Sequence, residues 1–314
     1  MDNQNTTQDP ELVSENIKKE KNSFFKNFNY NKNYKILLVI PLFLLILSLV
    51  YLGIFYFKTG DFIIRDVSLS GGTTLTLNGN IDSTQLESQL KSKLDDVSFR
   101  KLSDISSGKN IAFIIESSVP PEELEKIVED ILGFQLKQED YSVEFSGPSL
   151  SDNFYHQLII ALLISFCLMS VVIFFLFRTF VPSIAVIFAA FADLVMTLCL
   201  VNLLGIKLST AGIAAFLMLI GYSVDTDILL TTRALKKSEG TLNQRIFGAF
   251  KTGSFMTITA LVAVLPAFFI VTGLPDSFRQ IFFILSLGLF ADLVNTWLTN
   301  AGIIKWYCDK KGIK

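Results

Sequence analysis

Six runs of apolar residues punctuate an otherwise polar chain: Ile36 to Phe57, Leu158 to Phe177, Pro182 to Leu204, Leu208 to Thr231, Gly253 to Val271 and Ile281 to Ile304. At about 1.5 Å rise per residue, about 20 apolar residues cross about 30 Å of hydrocarbon, so each run is predicted to be a membrane-spanning helix. Tyr34, Tyr51 and Tyr56 lie near the ends of the first, where amphipathic rings suit the membrane interface. Between the first and second runs the period changes. It predicts a strand over Asp66–Leu77, a helix over Ser83–Leu94, strands over Val97–Leu102 and Asn110–Glu116, a helix over Pro120–Leu132 and a strand over Tyr141–Phe145. Ser83 and Ser118 are the candidate N-caps, the latter followed by Pro120, Pro121 and an acidic first turn. The order βαββαβ is that of a ferredoxin-like sandwich. Gly71 and Gly72 interrupt its first strand, either as a bulge where the strand bends or as a hinge or recognition element near the membrane.

Polar residues inside the apolar runs carry the chemical signal. Asp193 lies in the third run, Asp225 and Asp227 in the fourth, and Asp292 in the sixth, while Arg233 closes the fourth. Each charge at the bilayer centre costs roughly 2.5–3.5 kcal/mol on insertion scales, so four unpaired carboxylates would cost roughly 10–14 kcal/mol, comparable with the net stability of a protein. They must be paired, hydrated or protonated, and such groups mark ion paths and proton relays. Helical spacing places Gly288, Asp292, Asn295 and Thr299 on one seam, Ala185, Ala189, Asp193 and Thr197 on another, and Ala214, Met218, Gly221 and Asp225 on a third. Small residues beside a polar one let membrane helices approach closely, so these seams are expected to face inward. Asp225 and Asp227 point about 200° apart, which makes Asp225, on the Gly221 seam, the expected interior residue. Arg233 is expected to lean back toward the bilayer centre or to act as a membrane-edge anchor. The sequence Phe-Ala-Asp-Leu-Val occurs at 191–195 and again at 290–294, which sets Asp193 and Asp292 at similar depths in their helices.

Composition agrees with a membrane protein: 51% of residues are hydrophobic and the mean hydropathy is +0.49. The net charge of −2 offers no basic footprint for nucleic acid. Lysines and arginines crowd one side, at Lys18, Lys19, Lys21, Lys26, Lys32, Lys35, Arg178, Arg233, Lys236, Lys237, Arg245, Lys251, Lys305, Lys310, Lys311 and Lys314, against Lys207 and Arg279 in the opposite short connections. Both termini are therefore expected in the cytoplasm. The expected organisation is a disordered cytoplasmic tail over 1–34, a first helix over 35–57, an extracytoplasmic domain over 58–154, five helices over 155–306 and a short cytoplasmic tail over 307–314. Cys167, Cys199 and Cys308 have no metal-ligand spacing, and His156, the single histidine, reads as an interfacial residue. With no GxxxxGK[ST] phosphate loop, ATP hydrolysis is not expected, and neither a metal nor a cofactor is implied.

Leu219 to Lys237, LIGYSVDTDILLTTRALKK, closely resembles the SecF family of protein-export membrane proteins in its archaeal form. Ser70-Gly71-Gly72, Gly147-Pro148, Ala192-Asp193, Gly221-Tyr222-Ser223 and Arg233 extend the resemblance over nearly the whole chain from the first helix onward. The resemblance implies an α-helical polytopic membrane protein with six transmembrane helices and an extracytoplasmic α+β ferredoxin-like domain between helices 1 and 2. It implies half of an RND-superfamily permease that pairs with a SecD-like subunit, so that twelve helices surround a proton-conducting interface. The implied partners are SecD, the Sec translocon channel, unfolded exported polypeptides and membrane lipid; the implied role is transport, not enzymatic catalysis. Asp193 and Arg233 are the positions it carries over best as relay members, with Asp225, Asp292 and Asp227 as further candidates. The chain departs from the bacterial pattern at Asp225, where relatives have Asn, at Thr226, where they have Asp, and at Thr232, where they have Asp. Archaeal systems of this type also lack the cytosolic ATPase motor. Two other classes compete: a self-contained RND-type small-molecule exporter, and an intramembrane aspartyl protease suggested by Gly221-Tyr222-Ser223-Val224-Asp225.

Overall fold

In the computed structural model, which describes residues 30–79, 83–94, 96–103, 110–137, 140–235, 240–270 and 276–313, the apolar runs are helical. Helix α1 spans Tyr30–Thr59, followed by a one-turn helix α2 (Val67–Ser70), strand β1 (Gly72–Asn78), helix α3 (Ser83–Lys93), strands β2 (Val97–Ser103) and β3 (Asn110–Ser117), helix α4 (Pro121–Leu132) and strand β4 (Tyr141–Ser146). Then come α5 (Pro148–Phe177), α6 (Phe180–Leu203), α7 (Thr210–Leu235), α8 (Leu242–Ile270) and α9 (Asp276–Val294), which continues through a π-helical turn at Asn295–Asn300 into α10 (Ala301–Lys311). Among the described residues, six helices are long and apolar enough to cross a membrane. Most of the N-terminal tail expected over 1–34 lies outside the described residues, as do Lys236, Lys237, Val271 and Lys314.

Two spans begin ten or more residues ahead of their apolar runs. α5 starts at Pro148, ten residues ahead of the expected Leu158, because Gly147 is extended at the N-cap and proline fits the first helical turn, where its missing N–H has no partner to lose. α8 starts at Leu242, before the expected Gly253, through a mixed segment that buries Leu242, Ile246 and Ala249 while exposing Phe247.

The four strands form an antiparallel sheet in the order β2-β3-β1-β4. Leu75 and Leu77 of β1 pair with Ile115 and Phe113 of β3, and these side chains pack against Leu86 and Leu90 of α3 and Leu124 and Val128 of α4. The first strand is shorter than the expected Asp66–Leu77. Asp66 accepts from the backbone N–H of Val67 at 2.6 Å and caps α2 instead, and Gly71, at φ +83°, ends that turn. A Cβ at Gly71 would lie 2.5 Å from Pro148 Cα, and one at Gly72 would overlap the Ser117 carbonyl. The β1 ladder runs without a bulge from Gly72 onward, and the two glycines let the strand start where the sheet presses on α5. α4 begins at Pro121 with Pro120 as N-cap, in place of the expected Ser118 cap, since proline sets the extended entry by itself.

The sheet unit is joined to the helices through residues 61–66. Asp66 N donates to Leu208 O at 2.9 Å and Leu208 N to Ile64 O at 2.6 Å, while Asn202 Nδ2 donates to Phe62 O at 2.7 Å. Arg65 donates to Asp61 at 2.6 Å and Asp152 at 2.8 Å and lies 4.2 Å over the Tyr155 ring, whose hydroxyl donates to Asp61 at 2.9 Å. Partial burial works against the Arg65 charge, but the two carboxylates outweigh it and raise its pKa. His156, exposed at the same junction, approaches Asp152 to 3.5 Å.

Candidate functional site

α6, α7 and α9 form the centre of the bundle, and their polar residues meet there. Asp193, Asp227 and Asp292 are 0%, 0% and 1% exposed. The repeated Phe-Ala-Asp segments are oriented alike: Phe191 and Phe290 face outward while Asp193 and Asp292 turn in. Asp193 accepts a short hydrogen bond from Ser223 Oγ and another from Asn295 Nδ2 at 2.7 Å. Asp227 Oδ1 accepts from Asn300 Nδ2 at 2.7 Å. Thr226 Oγ1 lies 3.0 Å and 3.2 Å from the two oxygens of Asp292, and 2.9 Å from the Ser223 carbonyl.

Thr296 joins the second and third carboxylates. Its Oγ1 is 2.9 Å from Asp227 Oδ1 and 2.9 Å from Asp292 Oδ1. A hydroxyl carries one hydrogen, so it can donate to only one of them. The other contact, between two oxygens, becomes a hydrogen bond only if a carboxyl supplies the proton. No lysine or arginine among the described residues reaches any of the three acids through a hydrogen bond or ion pair. The hydrogen bonds that the three buried acids accept come from hydroxyl and amide donors.

Two expected members lie elsewhere. Asp225, the expected interior residue, is exposed, as are Met218, Gly221 and Thr232. The buried face of α7 is instead the row Ile213, Phe216, Leu219, Ser223, Thr226, Asp227, Leu230, Thr231 and Ala234. That row fills the core with larger side chains, and this decides the rotation of the helix against the preference for small residues. The aspartyl-protease reading loses its buried Asp225 with it. Arg233 is half-buried, but its Nη1 donates to Gly248 O at 2.8 Å and Thr252 Oγ1 at 3.0 Å on α8, not to a carboxylate. The seams through Asp193 and Asp292 are buried as their spacing predicts. Gly71 and Gly72 lie at the junction with the sheet, outside the acid cluster.

Ser223, Thr226, Thr296 and Asn300 were not singled out by spacing. Thr296 and Asn300 step by four from Asp292, so their signal was present in the sequence, but the neighbouring row through Asn295 and Thr299 carried an equal one. The π-helical turn lets both rows serve the site, Asn295 reaching Asp193 while Thr296 and Asn300 reach Asp227. Such turns are frequent at functional sites.

Residues 126–310, which include every member of the cluster, match the family model for the C-terminal region of the protein-export membrane proteins SecD and SecF. SecF of Methanolacinia petrolearia is 35% identical over 289 residues, covering 91% of this chain and 99% of the relative. The chain belongs to the SecF family. SecF of Methanocaldococcus jannaschii is 38% identical over 88% of the chain and 96% of its own length. Among solved structures, the translocon-associated membrane protein SecDF of Thermus thermophilus shares the fold, with a TM-score of 0.67 at 18% identity. The match covers 90% of this chain but 39% of the SecDF polypeptide, so this SecF chain spans well under half of that protein. A second SecDF structure, in a super-membrane-facing form, gives a TM-score of 0.60 at 19% identity, over 91% of the chain. With the family and the six helices together, the chain is a multi-pass membrane protein.

Proposed function

We propose that this chain is the SecF-type subunit of a SecD–SecF pair in the cytoplasmic membrane, where it assists Sec-dependent protein export by drawing on a transmembrane ion gradient. Its role is mechanical and not enzymatic: protons exchange at Asp193 and Asp292, and the bundle passes the change in packing to the sheet unit through residues 61–66. In this reading the sheet unit is an extracytoplasmic ferredoxin-like domain, a name that its βαββαβ order and its strand order support. Both termini then lie in the cytoplasm, and the exposed face of α7 with Asp225 is turned to the SecD-like partner. Unfolded polypeptide emerging from the translocon channel is the substrate.

The observation that carries the proposal is the single hydroxyl of Thr296 between Asp227 and Asp292, 2.9 Å from each. Such a contact makes sense where protons reside and exchange. The test is Asp193→Asn in a reconstituted complex of this chain, its SecD partner and the translocon. Gradient-dependent release of an exported substrate should fall at least about tenfold while association with SecD is retained. Unchanged release would remove Asp193 from the relay.

A further inference from the structure

At the end of the acid cluster farther from the sheet unit, three buried oxygens on Asp227, Thr231 and Asn300 have no hydrogen-bond partner. Asp227 Oδ1 takes both available donors, Thr296 and Asn300, and leaves Oδ2 with none. Asn300 Nδ2 points at Asp227, which fixes its amide and leaves Oδ1 without a donor. Thr231 follows Asp227 by four residues, one turn along the same face of α7. Its Oγ1 is buried and has no partner either. The contrast with other helical threonines is informative. Thr197, Thr252, Thr257 and Thr259 each donate to the carbonyl four residues earlier, the default for a threonine hydroxyl with no other partner in an apolar setting. Thr231 makes no such bond. Asp227, Thr231 and Asn300 are all 0% exposed.

The donor set defines the guest. Two of the three atoms, a carboxylate oxygen and an amide oxygen, can only accept, so what satisfies them carries positive charge or hydrogen. Oxygen-only ligands select hard cations over transition metals. One carboxylate with two neutral oxygens balances one positive charge, and a neutral complex is the form that a low-dielectric core tolerates. Asn300 belongs to the π-helical turn, a departure from regular α-helix that is frequent at functional sites.

We propose that Asp227, Thr231 and Asn300 form a sodium subsite at this end of the cluster, distinct from the proton-exchanging pair Asp193 and Asp292. The inference rests on the reading of the cluster as an ion path and names the ion that one of its arms holds. Its test needs no translocation. The full chain, purified in detergent, is melted at constant ionic strength while sodium chloride replaces N-methyl-D-glucamine chloride, with potassium chloride as a parallel series. A ligand that binds only the folded state raises the melting temperature saturably. Sodium should do so more strongly than potassium. Thr231→Val, which keeps the shape and removes the oxygen, and Asn300→Ala should raise the half-saturating sodium concentration at least about tenfold. Ser286→Ala, which removes a buried hydroxyl bonded to its own helix at 2.8 Å, should leave it unchanged. Equal melting in all three salts, or a wild-type midpoint in Thr231→Val, overturns the subsite and leaves water or a proton as the occupant. Because Asp193→Asn is scored by gradient-dependent release, the relay can fail while the sodium response persists, and the reverse.

Discussion

Asp225 and Asp227 stand two residues apart on α7, and only Asp227 is enclosed. Asp225 keeps its carboxylate at the exposed face, so Asp225→Asn should shift the stability of the isolated chain by no more than about 0.5 kcal/mol. Thr296→Val is the opposite case. It conserves volume but deletes the one hydroxyl shared by Asp227 and Asp292, and each buried polar group that loses its partner costs about 1–3 kcal/mol. Thermal melting of the two variants in the same detergent compares them directly. A Thr296→Val protein as stable as Asp225→Asn would mean that the hydroxyl is not needed to hold the two acids together.

The helices explain both what could be read in advance and what could not. Length and apolarity alone locate six spans, because about 20 apolar residues have few stable alternatives in a bilayer. The repeated Phe-Ala-Asp segment likewise placed two carboxylates at one level, and α6 and α9 bring both into the core. Rotation about a helix axis is a different matter. α7 carries two rows with helical spacing, the small-residue row ending in Asp225 and the row through Phe216, Ser223 and Asp227, and only the packing of Leu219 and Phe216 against α9 residues such as Ile284 selects the second. The π-helical turn is equally invisible in the sequence, since its longer hydrogen bonds depend on what the neighbouring helices offer Asn295 and Asn300. The Leu219 contact gives a test of this selection. A Cβ at Gly288 would collide with the Leu219 side chain, whereas one at Gly53 on α1 meets nothing within 4 Å. Gly288→Ala should destabilise the chain by about 1–3 kcal/mol as an overpacked core does, and Gly53→Ala should be neutral or slightly stabilising. Chemical crosslinking-free melting curves suffice to separate them; equal curves would argue that α7 and α9 are loosely apposed at this level.

For the whole molecule to couple ions to work outside the membrane, motion in the bundle must reach the sheet, and the connection between them is narrow. Residues 61–66 bond to the loop between α6 and α7 through Leu208 and to α6 through Asn202, and that loop is held in turn by Gln280 of α9, which donates to Lys207 O at 2.6 Å and accepts from Ser209 N at 3.0 Å. The three helices that supply the acid cluster thus all reach the sheet unit, alongside α5, which carries Asp152 and Tyr155. Arg65 is the strongest single tie, since it is partly buried, bonds two carboxylates and covers Tyr155, whereas Lys207 and Asp96 pair at 3.0 Å in a more exposed setting where such bridges contribute little. Arg65→Leu should loosen the junction by about 1.5–3 kcal/mol, the range for hydrogen bonds to charged groups. Hydrogen exchange reads this locally: amides of 61–66 and 206–209 should exchange at least about tenfold faster, while those paired within β1 and β3 keep their protection. Lys207→Ala should leave both sets unchanged. If Arg65→Leu accelerated exchange in the strands as much as at the junction, the arginine would be supporting the fold of the sheet itself, and the route from the acid cluster to the sheet would have to run through the glycine contact of Gly71 with Pro148 instead.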